Sequence, residues 1–366
     1  MDVGLNEEQE LLKNSARELL EKECPEAHVR AMEADANGYS PELWRKLAEL
    51  GWHGLMIPAE FGGSGLTFYD LCIVVEEAGR ALLPGPFIPN QVAAGLLVSS
   101  GSASQQKKYL PGIADGSRIH TYAFAESTGR WSADDIALQA RRTSNGIVLN
   151  GAKLFVPNAN VADVIWVLAR SDRGFVAAAV PRTAKGVRVT TLTTMTGEKL
   201  GEVVLDNVSI AKDEVIEISD LHNFSNRATV LECAYQVGLV GRDLEITVDY
   251  AKNRVAFGRP IGAFQAIQHK AADMVTDVDG MRFITYRAAA AIADRDPSAN
   301  LKVAMAKAWC SDASRRVVAH GQQIHGAIGF TKEYIIQLYF RRQKHGELFW
   351  GDADFHRERI AEMLSL

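Results

Sequence analysis

The stretch RVAFGRPIGAFQAIQHKAADM, Arg254 to Met274, decides how the chain is read. A helical pattern reaches Arg254, breaks over Phe257-Gly258-Arg259-Pro260-Ile261-Gly262, and resumes from Ala263. Glycine and proline punctuate helices, so a plain helix-turn-helix accounts for the break itself. It does not account for the company the break keeps: an arginine, a phenylalanine and, a little later, Gln265 and His269. A turn that holds a ligand accounts for both.

On either side of this break the pattern is helical. NRATVLECAYQVGLVGRDLEITVDYAKNR precedes it, FQAIQHKAADMVTDVDGMRFITYRAAAAIA follows, and LKVAMAKAWCSDASRRVVAHGQQIHGA comes next. Long helices with short connections predict an antiparallel bundle. Upstream the character differs. HTYAFAES, IALQARR, GIVLNGAKLFV, DVIWVLAR, GFVAAAV, GVRVTTL and GEVVLDNVSI are short, rich in β-branched residues and separated by Gly, Asn, Asp and Pro. They predict a β-barrel or sandwich without intervening helices. Further upstream, Leu5, Leu11, Leu12, Ala16 and Leu19 recur at helical spacing. The expected architecture is α+β and multi-domain. It has an N-terminal helical domain over 1–117, a middle β-barrel or sandwich domain over 118–212, and a C-terminal antiparallel four-helix bundle over 213–366.

Bulk properties narrow the function classes. The 366 residues are 47% hydrophobic and 23% charged, with a formal net charge of −5, an ordinary globular composition. No basic excess points to nucleic acid or a membrane surface. The acidic, amphipathic N-terminus does not read as a secretory leader, and no membrane span is expected, since no apolar run reaches the needed length. Cys24, Cys72, Cys233 and Cys310 form no CxxC pair, which argues against a disulfide framework or a structural metal and for a reducing cytoplasm.

Five ordered blocks make the reading specific: MIPAEFGGSGL, YAFAES, LNGAKLFVPNANVADVIWVLAR, YAKNRVAFGRPIGAFQAIQHKAADM and QQIHGAIGFTKEY. Over nearly its whole length the chain resembles the acyl-CoA dehydrogenase family of flavoproteins. The resemblance implies FAD as cofactor and an acyl-CoA thioester as substrate. A carboxylate takes the α-proton while the β-hydrogen leaves as hydride to flavin N5, and an electron-transfer flavoprotein reoxidises the flavin. It also implies that the turn after the first long bundle helix grips the ADP half of a neighbouring subunit's FAD. Arg254 then meets the pyrophosphate, where a guanidinium fork suits anionic oxygens. Phe257 packs near adenine and ribose, and Gln265 donates hydrogen bonds. Gln323, Ile324, Gly326 and Ala327 bring backbone close to the same half. Ala327 stands where a second glycine usually follows.

The flavin-ring side departs from the family pattern. Ala125 replaces a hydroxyl that commonly meets the pyrimidine edge. Phe155 and Pro157 stand where a tryptophan over the flavin and a threonine bonding N5 usually lie. Proline offers neither N–H nor hydroxyl. Trp131 and Phe155 line a pocket or belong to the barrel core. Both family positions for the base are also empty: Trp350 holds one and Ala228 the other. No catalytic residue is therefore assigned. Asp352, Glu347 and Glu232 are the nearby carboxylates, and Asp352 also reads as the N-cap of the last helix. His325 belongs to the cofactor block and His269 to an interface; neither has metal-ligand spacing. The run FRRQKH, Phe340 to His345, reads as a solvated helix face or an interface contact.

These features resemble the base-lacking subunit of hetero-oligomeric members, which act on steroid side-chain or dicarboxylic acyl-CoAs. The resemblance then implies a homologous catalytic partner in an α2β2 assembly. Two rivals stay open: a self-sufficient homo-oligomer with a relocated base, and a non-catalytic acyl-CoA-binding scaffold.

Overall fold

The computed structural model describes residues 4–366. Six helices open it: α1 (Glu7–Glu23), α2 (Glu26–Ala34), α3 (Pro41–Glu49), α4 (Phe68–Arg80), α5 (Phe87–Ser100) and α6 (Ala103–Ala114). Their starts are written locally. Asn6 and Gln9 form a reciprocal capping box on α1, as do Ser102 and Gln105 on α6, satisfying N–H groups that a helix start leaves open.

Eight strands follow: β1 (His120–Ala123), β2 (Ala140–Thr143), β3 (Gly146–Pro157), β4 (Val164–Ser171), β5 (Gly174–Pro181), β6 (Val187–Leu192), β7 (Leu200–Ala211) and β8 (Val215–Ile218). They form two four-stranded sheets, ordered β1-β4-β5-β8 and β2-β3-β7-β6. Every pair is antiparallel except β1 with β4. Ile165 to Ala169 on β4 are fully buried, the continuous apolar run of a strand covered on both faces. The eighth strand was not legible in the sequence. It is four residues long and follows a single turn at Lys212–Glu214, too short to show a period.

The chain then runs through α7 (Leu221–Asn253), a ribbon of β9 (Val255–Ala256) and β10 (Arg259–Pro260), and α8 (Gln265–Ala293). It ends with α9 (Ala299–His325), α10 (Ile336–Leu348) and α11 (Ala353–Leu364). Among the described residues, no helix is long and apolar enough to cross a membrane.

Contacts divide the molecule into two compact units. One comprises 30–67 with 84–227 and holds both sheets. The other gathers α1, α4 and the long helices from Ala228 onward. In the helical unit, Glu76 on α4 is buried and accepts from Lys13 at 3.1 Å, Arg282 at 3.2 Å and Tyr286 at 2.6 Å. Burial pushes its carboxyl up, but Arg282 and Lys13 outweigh that and hold it below the ordinary range. One carboxylate thus ties α1, α4 and α8 together.

One expectation needs correcting in part. Phe340 is exposed and Arg341, Lys344 and His345 are half-buried, but the middle of the run is not solvated. Arg342 is 2% exposed and Gln343 is buried. The Arg342 guanidinium donates to Leu82 O at 2.7 Å and Tyr235 Oη at 3.0 Å. Packing of α10 carries the charge inside, where carbonyl and hydroxyl acceptors satisfy it.

Candidate functional site

The break at Phe257 is a two-residue hairpin. Arg259 pairs with Ala256 and Pro260 with Val255. The loop residues Phe257 and Gly258 have φ of 55° and 78°, the double positive φ of a type I′ turn. Glycine adopts this freely, whereas phenylalanine there costs about 1–2 kcal/mol. Phe257 is nevertheless 94% exposed. Its ring meets Phe264 edge-on at 6.1 Å, and the Arg259 guanidinium lies 4.3 Å over Phe264. A strained, solvent-facing aromatic is not there for the fold of this chain alone.

The polar groups beside it are equally unspent. The Arg254 backbone is fixed, its N–H bonding Tyr250 O and its carbonyl accepting from Ile261, each at 2.8 Å. Its guanidinium is exposed and has no hydrogen bond or ion pair among the described residues. Gln265 opens α8, exposed and likewise unbonded through its side chain. No side chain caps that helix, so its first N–H groups remain available to an anion.

The end of α9 adjoins this root. Tyr250, whose carbonyl holds Arg254, stacks on the buried His325 ring at 4.4 Å. His325 Nδ1 lies 2.8 Å from Gly321 O, its Nε2 is unpartnered, and burial lowers its pKa. Gln323 is exposed with no side-chain bond, Ile324 is buried, and Ala327 is exposed. Gly326 has φ 64° and ψ −139°, and a Cβ there would meet nothing within 4 Å. Backbone conformation, not crowding, requires glycine. The seven expected cofactor residues therefore occupy two segments that Tyr250 joins, and five of them turn side chains outward.

The two positions where the resemblance expects a base, Trp350 and Ala228, are both buried. Trp350 is 2% exposed with φ 64°, and its carbonyl accepts from His356 Nε2 at 2.8 Å. Ala228 is buried. The three substitute carboxylates all have structural work. Asp352 caps α11, accepting from Phe355 N at 2.9 Å. Glu347 accepts from Gln343 at 3.1 Å and Lys344 at 2.7 Å. Glu232 accepts from Gln236 at 3.2 Å. Sequence reasoning missed Lys307, buried beneath the turn. Its ammonium donates to Ser311 Oγ at 2.8 Å, Gly346 O at 2.8 Å and Glu347 O at 3.0 Å. The Gly346 and Glu347 carbonyls lie at the open end of α10, a natural seat for a cation. Burial lowers the pKa of Lys307. Its only signal was a lone lysine in the apolar stretch VAMAKAW.

In the sheet-bearing unit, Phe155 resolves the alternative left open. It sits at a bulge of β3, with φ 54° and 40% exposure, so it is not a core aromatic. Trp131 stacks on Phe124 at 6.1 Å, and Phe124 on Phe224 at 6.4 Å. Ala125 is buried. Lys153, also missed, is fully buried; it donates to Phe124 O at 2.9 Å and Glu126 Oε1 at 2.7 Å. Burial brings its pKa down to about 8.

Three family models match in order: the acyl-CoA dehydrogenase N-terminal domain over residues 6–117, the middle domain over 121–208 and the C-terminal domain over 224–365. The acyl-CoA dehydrogenase IpdE2 of Mycolicibacterium smegmatis is 32% identical over 346 residues, 93% of this chain and 94% of that protein. The chain belongs to the acyl-CoA dehydrogenase family. It is thus an oxidoreductase of a flavin-dependent family. Among solved structures, the ChsE4-ChsE5 complex from Mycobacterium tuberculosis matches with a TM-score of 0.94 and 29% identity, covering 100% of this chain and 99% of that one. A variant of the Tcur3481-Tcur3483 steroid ACAD matches with a TM-score of 0.91 and 31% identity, over 98% of each chain. Acyl-CoA dehydrogenase membership accounts for the order of helices, sheets and helices that the sequence predicted.

Proposed function

We propose that this acyl-CoA dehydrogenase chain is one subunit of an α2β2 assembly, and that it contributes the ADP half of a FAD site to a homologous catalytic partner. One contrast supports the reading. Arg254, Gln265 and Gln323 stand exposed and unbonded beside a strained Phe257, while Trp350 and Ala228 close both base positions. The donor set fits the group: a free guanidinium and an uncapped helix start suit pyrophosphate oxygens, and Phe257 suits an adenine face. Gly326 lets backbone approach without a side chain.

FAD, when bound, supplies the hydride acceptor. The partner's carboxylate takes the α-proton of the CoA thioester, and an α,β double bond results. An electron-transfer flavoprotein then accepts the electrons, in the cytoplasm. The substrate class follows the similarity to the Tcur3481-Tcur3483 steroid ACAD: a steroid side-chain or other bulky acyl-CoA. The chain is read as three regions, 1–117, 118–212 and 213–366.

A self-sufficient homomer is the second reading, and Phe155 turned outward from its bulge favours it. Flavin stoichiometry separates the two. The chain is purified alone and with its genomically neighbouring homologue, and flavin absorbance is measured against protein. One FAD per pair of unlike chains, and none held by this chain alone, is expected. One FAD per chain, with activity from this chain by itself, would overturn the α2β2 reading in favour of the homomer. Coenzyme A binding without flavin reduction in any combination would leave only the scaffold.

A further inference from the structure

The helical unit holds four buried thiols, and two of them meet. Cys233 on α7 and Cys310 on α9 are both buried, and their side chains hydrogen-bond each other. Thr285 Oγ1, from α8, lies 3.3 Å from Cys310 Sγ. Three helices thus converge on one sulfur pair. A buried cysteine by itself is a small core residue, and Cys24 and Cys72 are read that way. The pair differs because of the charge beside it.

That charge is Lys307, one turn before Cys310 on α9. It is buried, and its ammonium bonds only neutral acceptors: Ser311 Oγ, Gly346 O and Glu347 O. Among the described residues no carboxylate bonds it; Glu232 and Asp352 act on it only at longer range. A buried cation needs a countercharge or must give up its proton. The thiols can supply one. Burial pushes Cys310 up, but hydrogen bonds from Cys233 and Thr285 and the Lys307 charge outweigh it and bring the thiol below its ordinary value. Burial drives Cys233 well above that value. One sulfur is therefore poised as a thiolate, and the other stands beside it as a thiol.

We infer that Cys233 and Cys310 form a peroxide-oxidisable dithiol, with Lys307 as its countercharge, that closes to a disulfide between α7 and α9. The chemistry balances with hydrogen peroxide as oxidant. The Cys310 sulfur attacks one peroxide oxygen and the O–O bond breaks. The thiol proton joins the departing hydroxide, leaving a sulfenic acid and one water. The Cys233 sulfur then attacks that sulfur, the S–O bond breaks, and the second proton leaves with hydroxide as a second water. Two electrons pass from the sulfurs to the peroxide. Peroxide is close to water in size, so the local openings that exchange buried amides admit it. The product ties the helix that carries Tyr250, at the hairpin root, to the helix that carries Gln323 and Ile324.

The test exposes the protein, in its purified assembly, to graded hydrogen peroxide. The chain is then denatured, labelled with a maleimide and weighed. Free thiols should fall from four to two, with a peptide linking Cys233 to Cys310 and full recovery in dithiothreitol. The exposed Met195 serves as the dose control. Cys233→Ser and Cys310→Ser should each abolish the link. Lys307→Met should slow it about tenfold or more, because the thiolate loses its countercharge, while Met195 oxidises at the parental rate. Four free thiols at a dose that converts Met195 to its sulfoxide overturn the inference. So does a link through Cys24 or Cys72, or Cys310 driven to sulfinic acid with Cys233 still free, because the two sulfurs are then not partners. An unslowed reaction in folded Lys307→Met overturns it as well. Should a variant fail to fold, the thiol count and the linked peptide of the parent chain decide alone. None of these readings needs flavin or a catalytic partner, so they stand or fall separately from the subunit stoichiometry.

Discussion

The hairpin Arg254–Phe264 and the segment Phe124–Glu126, which Lys153 bonds, are both short irregular pieces beside regular elements, and they treat polar groups in opposite ways. At the hairpin, the side chains of Arg254 and of Gln265 just after it are exposed, with no bond among the described residues. In the sheet-bearing unit, Lys153 is buried against Glu126 and the Phe124 carbonyl. The difference teaches where to look for stability and where for partners. A buried charge must be satisfied inside the chain, so its removal is felt by the fold. An exposed charge on a strained backbone adds nothing to the isolated chain, so its value lies in what it meets.

The largest effect should come from breaking the closed side. Glu126→Ala strips Lys153 of its countercharge and leaves the Ala137 and Leu138 amides unbonded. A loss of about 3–5 kcal/mol is expected, read as a lower midpoint in urea unfolding. A midpoint within error of the parent would mean water reaches Lys153.

The open side should respond in the reverse sense. Arg254→Ala is expected to leave the melting temperature unchanged, because the guanidinium has no partner among the described residues. In the native assembly it should weaken FAD retention by about 1.5–3 kcal/mol, roughly tenfold to a hundredfold. Full flavin content in the purified variant would reduce the hairpin to a structural turn.

Acid sharpens the comparison further, since the buried histidines are closed-side groups. Burial lowers His53 to about 4, His120 to about 3 and His356 to about 3. His120 Nδ1 accepts from Trp166 Nε1 at 3.1 Å and so must be unprotonated. Because the unfolded chain takes these protons first, their contribution is intact above pH 6.5. It is lost as pH falls toward the folded values. Stability should drop by about 1.4 kcal/mol per pH unit for each histidine over that window. Calorimetric melting between pH 7 and 4 checks this, and His120→Gln should flatten the slope.

The smallest effect belongs to the hairpin tip. Phe257→Gly relieves a positive φ and should stabilise the isolated chain by about 1 kcal/mol while lowering FAD retention in the assembly. If stability and flavin content moved in the same direction, the strain at Phe257 would have nothing to do with partner binding.

Much of this molecule was legible before any coordinates. Helical period, short β-branched runs and turn residues separated helices from sheets, because these signals act over neighbouring residues and need no distant contact. The N-cap reading of Asp352 and the break at Phe257 were legible for the same reason. The ordered motifs then pointed to acyl-CoA dehydrogenase membership. Other features depended on what folds against what. β8 is too short to announce itself. Phe155 could be core or surface until the bulge of β3 turned it outward. Arg342 reads as a solvated charge in sequence and lies buried in the fold, as Lys153 and Lys307 do. Each has at least one main-chain carbonyl as acceptor, a group that any residue carries, so the primary chain has no letter for it. Sequence by itself determined most of the elements and named the side chains expected to meet a cofactor. Only tertiary structure decided which polar groups are spent on the fold and which are left over, because burial and hydrogen-bond partners belong to pairs of distant residues.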